Sequence, residues 1–470
     1  MKVTHVSAEC YPVAKVGGLA DVVGALPKYQ QKEGITTEVI MPFYNNKFTQ
    51  DHEFSNVYKG ELELGEKSVS FKILTLKNEE LGFKLFLVDI PELLFKEYVY
   101  SDNDVERFIA FQIAALDWIL QKKESPDIIH CHDHHTGLIP FMMSHSEKYK
   151  KLKQTASVFT IHNAQYQGWF SHDKTNLIPS FPLSHIGLLD WDNSINSLAT
   201  AIKCSWRVTT VSPSYMEELK LKANGLESLI SSENQKCFGI LNGIDTNVWN
   251  PETDEMIPKT YSITSCDSGK NVSKKWLCSK FDLDLKKPLF VFIGRLVEEK
   301  GADLFYEVFD KASKDLDISI LLLGSGNKQT EEQLKKLIDK HPGKYNAFIG
   351  YDEALSHKMY AGADYLLMPS RVEPCGLNQM YSLRYGTIPI VNNIGGLKDT
   401  VVDIDEGGFG FTHYENTVTG IFNSIKRATH YYYDSSEFKK TRKTIMKLDH
   451  SWDESAKQYI NLYKSLIQHS

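Results

Sequence analysis

"KPLFVFIGRLVEEKGADLFYEVF", residues 287–309, decides the fold. An apolar run, Leu289 to Ile293, stops at a glycine; a loop carrying Arg295 and Lys300 follows, and then a helix is expected. A short buried strand that leaves through glycine into a helix is the unit of a parallel α/β sheet. The chain opens on the same plan. "VTHVSA" (3–8) leads through "KVGG" (15–18) into an expected helix over 19–33, with a kink expected at Pro27. Between these two starts lie further short apolar runs: "TTEVIMPFY" (36–44), "KLFLVDI" (84–90), "PDIIHCHD" (126–133), "ASVFTIHN" (156–163) and "RVTTV" (207–211). A helical pattern spans 105–121. After residue 309 come "ISILLLGSG", "YNAFIG", "ADYLLMPS" and "TIPIVNN". The stretch 250–273 is polar and turn-rich and marks a linker or domain edge.

This alternation predicts an α/β protein of two doubly wound, parallel-sheet domains, 1–248 and 249–454, with a closing helix at 455–470 packing back on the first domain. Such sheets bind ligands outside the carboxyl ends of their strands, so the two domains are expected to face a central cleft. A net charge of -7, from 53 basic and 60 acidic residues, argues against a chain-wide nucleic-acid surface. No apolar run reaches the roughly 18 residues of a membrane span. The start lacks the pattern of a secretory signal. Seven scattered cysteines without a CxxC pair indicate free thiols, and a cytoplasmic location is expected.

Four places carry candidate chemistry. Gly17 and Gly18, after Lys15, can offer backbone N–H groups to a phosphate, or simply make a tight turn; neither GxGxxG nor GxxxxGK[ST] is present. Arg295 and Lys300, in "GRLVEEKG" (294–301), can hold a diphosphate through charge-assisted hydrogen bonds, or lie in a solvated loop. In "RVEPCGLNQMYSLRYG" (371–386), Glu373 can hold sugar hydroxyls or oppose a developing oxocarbenium charge. Alternatively it caps the following helix. The N–H groups of Gly376 and Leu377 suit an anion, whereas Cys375 has no local histidine to activate it and reads as a small buried residue. "HCHDHHTG" (130–137) holds four histidines and Asp133, but HxHxDH fails at His134, and His162 in "HNAQYQG" lacks ligand spacing. No metal is expected; a strand end touching a hydroxyl-rich ligand is.

Taken together and in order, "KVGGLADVVGALPK", "HCHDHHTG", "HNAQYQGWF", "TTVSPSY", "ILNGIDTNVWNP", "FIGRLVEEKG", "EPCGLNQMYSLRYGTIPIV" and "GGLKDTV" resemble the bacterial and plant glycogen/starch synthases. These are retaining glucosyltransferases with two Rossmann-like domains, the glycosyltransferase B-type fold. The resemblance runs from residue 15 to about 402, nearly the whole chain. It implies ADP-glucose as donor, an α-1,4-glucan as acceptor, and no cofactor. It implies that Lys15 lies near the donor diphosphate or the acceptor, with Gly17 and Gly18 at the donor phosphates. His162 would lie near the transferred glucose, Arg295 and Lys300 on the diphosphate, and Glu373 on the glucose. Cys375, Gly376 and Leu377 would line the same pocket, Asp21 and Asp133 would lie around sugar and acceptor, and Asn242 in the cleft. Front-face attack and a covalent intermediate both remain open. So do UDP-glucose as donor, another acceptor, and a carbohydrate-binding homologue without turnover. Where the family has Lys in the helix before TTVSP this chain has Ala199, and where it has Asp this chain has Trp206. "KLKANGLES" and "VNN" also depart from the pattern. These departures bear on acceptor binding, regulation and nucleobase choice, not on the donor residues.

Overall fold

The computed structural model describes residues 1–78 and 81–467. The chain divides into two compact units: Met1–Asn242 with Trp452–Ser470, and Gly243–Ser451. The helix expected over 455–470 is Trp452–Ile467, and residues 468–470 lie outside the described residues.

The first unit is built on strands β1 (Lys2–Val6), β2 (Thr36–Pro42), β3 (Phe54–Leu64), β4 (Lys67–Leu76), β5 (Lys84–Asp89), β6 (Ile128–His132), β7 (Ala156–Ile161), β8 (Arg207–Thr210) and β9 (Cys237–Gly239). They form one sheet in the order β9-β8-β7-β6-β1-β2-β5-β4-β3. Seven strands are parallel, as their buried, unalternating sequences require. The β3–β4 hairpin adds an antiparallel edge that the parallel reading did not foresee. Its strands alternate exposed and buried residues, so its signal has a period of two rather than an apolar block. Helix α1 (Gly18–Lys32) follows β1 and runs continuously through Pro27. The chain proceeds outward from β1 through β2 to β5, then returns to β6 on the other side of β1. That reversal makes the β1/β6 boundary the switch point of the sheet.

One face of this sheet changes character along its strands. Val3, Ile128 and Val158 pack with Val22 and Leu26 of α1 and with Trp452, Tyr459 and Tyr463 of the helix Trp452–Ile467. Two residues further on, side chains on the same face are His5, His130 and Thr160, all fully buried. The apolar end supplies stability, about 1.5–3 kcal/mol for each large side chain removed from water. The polar end must satisfy its own hydrogen bonds.

The second unit repeats the plan with β10 (Leu289–Leu296), β11 (Ser319–Gly326), β12 (Tyr345–Ile349), β13 (Tyr365–Met368), β14 (Ile388–Asn392) and β15 (Phe411–His413). The order is β12-β11-β10-β13-β14-β15, all parallel, with the switch point between β10 and β13. In β10, Phe290 and Phe292 enter one core cluster, and Leu289 and Val291 enter the other. The sheet is therefore covered on both faces.

The polar stretch 250–273 differs from its expected linker character. From Cys266 it is already helix (Cys266–Lys280), with Gly269, Lys270, Ser273 and Lys274 buried. Lys270 survives burial because its Nζ donates to the carbonyls of Tyr360, Ala361 and Tyr385 and to Thr387 Oγ1, at 2.7–3.2 Å. Polarity in that sequence serves internal hydrogen bonding, which a composition reading assigns to solvent.

Candidate active site

At the switch point of the first unit, the segment after β1 turns on Glu9. This buried carboxylate accepts the N–H groups of Val16 and Gly17 and the hydroxyl of Tyr100. Gly17 is the extended N-cap of α1, and no side chain caps it. A Cβ on Gly17 or Gly18 would meet nothing within 4 Å, so their packing within this unit does not demand glycine. Lys15 reaches over the helix start to Asp21 at 2.7 Å, both partly exposed. This segment is thus an ordered loop whose first N–H groups are occupied by a protein carboxylate. Glu9 was missed in the sequence; its only signal there is an acid placed directly after a buried strand.

After β6, Asp133 takes φ 57° and ψ 175°, a conformation that costs a non-glycine residue about 1–3 kcal/mol. Its carboxylate accepts the N–H of His162 at 2.8 Å, which ties the end of β6 to the end of β7. Burial pushes the Asp133 carboxyl up to about 7, against the opposing pull of the His162 and Asn163 N–H groups. His162 is 8% exposed, and its Nε2 lies 3.0 Å from His132 Nδ1. Burial lowers its pKa to about 3, so the ring is neutral at neutral pH. Asn242, at the end of the unit, is buried, and its Oδ1 lacks a hydrogen-bond partner among the described residues. The structure therefore gathers Asp133 and His162, and separately Lys15, Gly17 and Asp21.

The second unit assembles the other candidates. Lys300 Nζ lies 2.5 Å from Glu373 Oε2, and Ser370 Oγ donates to the same oxygen at 2.9 Å. The pair spans the switch point, since Lys300 follows β10 and Glu373 follows β13, its neighbour. Gly301 makes the approach possible. It takes φ +74°, and a Cβ there would sit 2.4 Å from the Pro369 carbonyl oxygen. Arg371 fastens the two loops further: its N–H donates to the Glu299 carbonyl at 2.7 Å, and its guanidinium grips Asp303 through two bonds of 2.5 and 2.8 Å. Arg295 stands free of this knot, 70% exposed and 3.6 Å from Glu299.

Glu373 does not cap the next helix (Asn378–Arg384), whose N-cap is Leu377 with no side-chain bond. Gly376 takes φ +73°. Cys375 is buried, and its carbonyl accepts from Gln379 at 3.0 Å. Gly396 presses against that carbonyl, 2.1 Å from where its Cβ would stand, and donates its N–H to the Glu373 carbonyl. Ser370 and Arg371 were not singled out in the sequence. Neither carries a motif, and only the fold shows them holding Glu373 and its loop.

Two doubly wound units with polar switch points, one with a lysine beside a carboxylate, fit the plan of a two-domain glycosyltransferase. Residues 2–232 match the family described as starch synthase catalytic domain, and residues 278–430 match glycosyl transferases group 1. The chain is 52% identical over 471 residues to the glycogen synthase of Flavobacterium johnsoniae, covering 100% of both chains. It is 36% identical to that of Thermodesulfovibrio yellowstonii, covering 99% of this chain and 98% of the relative. Among solved structures, the catalytic domain of starch synthase IV from Arabidopsis thaliana, bound to ADP and acarbose, superposes with a TM-score of 0.89 at 33% identity, covering 99% of each chain. A sucrose-phosphate synthase from Thermosynechococcus elongatus, at 15% identity and TM-score 0.63, shares the fold. The chain belongs to the glycogen/starch synthase family of glycosyltransferases. No helix among the described residues is long and apolar enough to cross a membrane.

Proposed function

We propose that this enzyme transfers glucose from ADP-glucose to the non-reducing end of an α-1,4-glucan with retention of configuration. The observation that carries the reading is the Lys300–Glu373 pair across the switch point of the second unit. A sugar nucleotide brings its own leaving group, so the protein's main task is to stabilise negative charge growing on the departing diphosphate. Lys300 and the exposed Arg295 are suited to that task. Glu373 steers the Lys300 ammonium in the free enzyme and accepts from a sugar hydroxyl. In the first unit, His162 faces the transferred glucose, with Asp133 holding its backbone. Lys15, Gly18 and Asp21 then serve the donor phosphates or the acceptor, while Gly17 shapes their loop with its N–H on Glu9. Asn242 serves the sugar from the first unit, and Cys375, Gly376 and Leu377 line the donor pocket of the second. The relative solved with ADP and acarbose, a nucleotide and an oligosaccharide analogue, supports an adenine donor and a glucan acceptor. We place the reaction in the cytoplasm, consistent with seven cysteines of which none forms a disulfide. Nucleotide release from ADP-glucose and from UDP-glucose, each with and without glycogen, tests the proposal. Glycogen-dependent ADP release is expected; preferential UDP release would change the donor, and no release from folded protein would remove the catalytic reading.

A further inference from the structure

The polar end of the first unit's sheet holds an unbroken line of hydrogen bonds that leads inward from His162. His162 Nε2 meets His132 Nδ1 at 3.0 Å, and His132 Nε2 meets His5 Nδ1 at 3.1 Å. His5 Nε2 meets Gln30 Oε1 at 2.9 Å, and Gln30 Nε2 donates to the Tyr463 hydroxyl at 3.2 Å. Beyond Tyr463 the line continues through His130 Nδ1 at 2.7 Å and His130 Nε2 to Thr160 Oγ1 at 2.6 Å. Gln30, Tyr463 and the three inner histidines are completely buried. His5, His130 and His132 bring ring nitrogens within 4.8 Å of one another, the spacing of a cation site. Both nitrogens of each ring are nevertheless committed to hydrogen bonds.

A neutral imidazole has one donor and one acceptor nitrogen, so fixing one bond in such a line fixes the next. Burial keeps the rings neutral: it lowers His5 to about 4 and His132 well below the ordinary histidine value. The hydroxyls can donate or accept, but the amide of Gln30 has a distinct end of each kind. With Nε2 on Tyr463, its Oε1 accepts from His5 Nε2–H. His5 Nδ1 must then accept from His132 Nε2–H, and His132 Nδ1 from His162 Nε2–H. His162 is left with a bare Nδ1, which has no partner among the described residues. Turning the amide over would reverse every step and give His162 an Nδ1–H donor instead.

We infer that Gln30 is a positioning residue that sets, through His5 and His132, the tautomer of His162, so that His162 presents Nδ1 as an acceptor to a hydroxyl of the bound sugar. The inference rests on the glucosyl-transfer reading for the identity of that hydroxyl. The tautomers themselves are read without turnover, by long-range 1H–15N NMR on full-length protein labelled in histidine, with His162→Asn used for assignment. Wild type is expected to show His162 as a single Nε2–H tautomer. Gln30→Met, which keeps the volume and removes both ends of the amide, is expected to mix the His162 tautomers and lower kcat about tenfold, with the fold retained. An Nδ1–H tautomer or an imidazolium at His162 in wild type would overturn the inference, and this result needs no variant to fold. So would a Gln30→Met enzyme whose tautomers mix while kcat stays within about threefold. A single Nε2–H tautomer in a protein that turns over no sugar nucleotide would sink the functional reading and leave the tautomer assignment standing.

Discussion

At the switch point of the first unit, His132 and His162 pass hydrogen bonds from ring to ring in near-complete burial; at that of the second, Lys300 and Glu373 meet as opposite charges, with the lysine side chain still 24% exposed. The sheets follow the same plan, and the difference lies in how each strand end satisfies its polar groups. A neutral network costs little desolvation and is rigid, because each member's donor and acceptor are already assigned. An ion pair with a buried carboxylate and a partly exposed lysine fixes the carboxylate in place and leaves the lysine within reach of a stronger anion. The first arrangement suits a surface that orients a neutral sugar. On the proposed reading, the second suits a site in which Lys300 turns from Glu373 to a departing diphosphate.

The comparison breaks most visibly if the charges of the second unit prove dispensable. Lys300→Ala is expected to cut kcat by about 10²–10³ and also to lower the melting temperature, since it leaves the buried Glu373 carboxylate without its cation. Steady-state kinetics beside calorimetry checks this, and a near-normal rate would remove the cation from the reaction. Acid sharpens the contrast. His5, His130 and His132 have folded-state pKa values below the ordinary 6.5, so the unfolded chain binds more protons than the folded one as pH falls below 6.5. The contribution of these rings to the first unit's stability is therefore full above about pH 6.5 and declines as pH falls towards 4; the raised Asp133 carboxyl opposes this loss, but as one group against three. In the second unit, Asp403 is held at about 2: burial acts against the shift, and Arg427 with the N–H groups of Asp405 and Thr412 overcomes it. Its contribution is full above about pH 4 and disappears only as pH falls through 2. Thermal unfolding followed from pH 7 to 4 should show the first unit weakening first; the reverse order would refute the assignment of neutral histidines.

Smaller effects probe how the charged site is held. Arg371→Ala is expected to lower kcat about tenfold, because it unfastens the loop of Glu373 from the loop of Lys300 without touching either side chain. Equal rates would mean that Gly301 and the backbone contacts suffice. Cys375→Ser should leave turnover within about threefold, as expected of a buried thiol that acts by packing. Complete inactivation of a folded, donor-binding variant would reopen Cys375 as a nucleophile.

The parallel sheets were legible because their strands are buried on both faces and stand out as apolar blocks such as Leu289–Ile293. The β3–β4 hairpin was not, because alternation in a half-exposed strand yields no block. Lys270 and its helix were hidden for the opposite reason: their polar residues are buried and matched to carbonyls distant in sequence. Among the site candidates, Lys300 and Glu373 were visible as charges placed after strands, and the fold brings them together. Glu9, Gln30 and Tyr463 were not visible. Each acts by hydrogen bonds to residues brought near only by folding, and Tyr463 lies 333 positions from His130, to which it bonds.

The most direct test of the account follows labelled glucose from ADP-glucose into glycogen, then digests the product with an enzyme specific for α-1,4 links. The account predicts label in the polymer, released by that digestion, in step with ADP formed. ADP formed without label in the polymer, or label that resists the digestion, would contradict it.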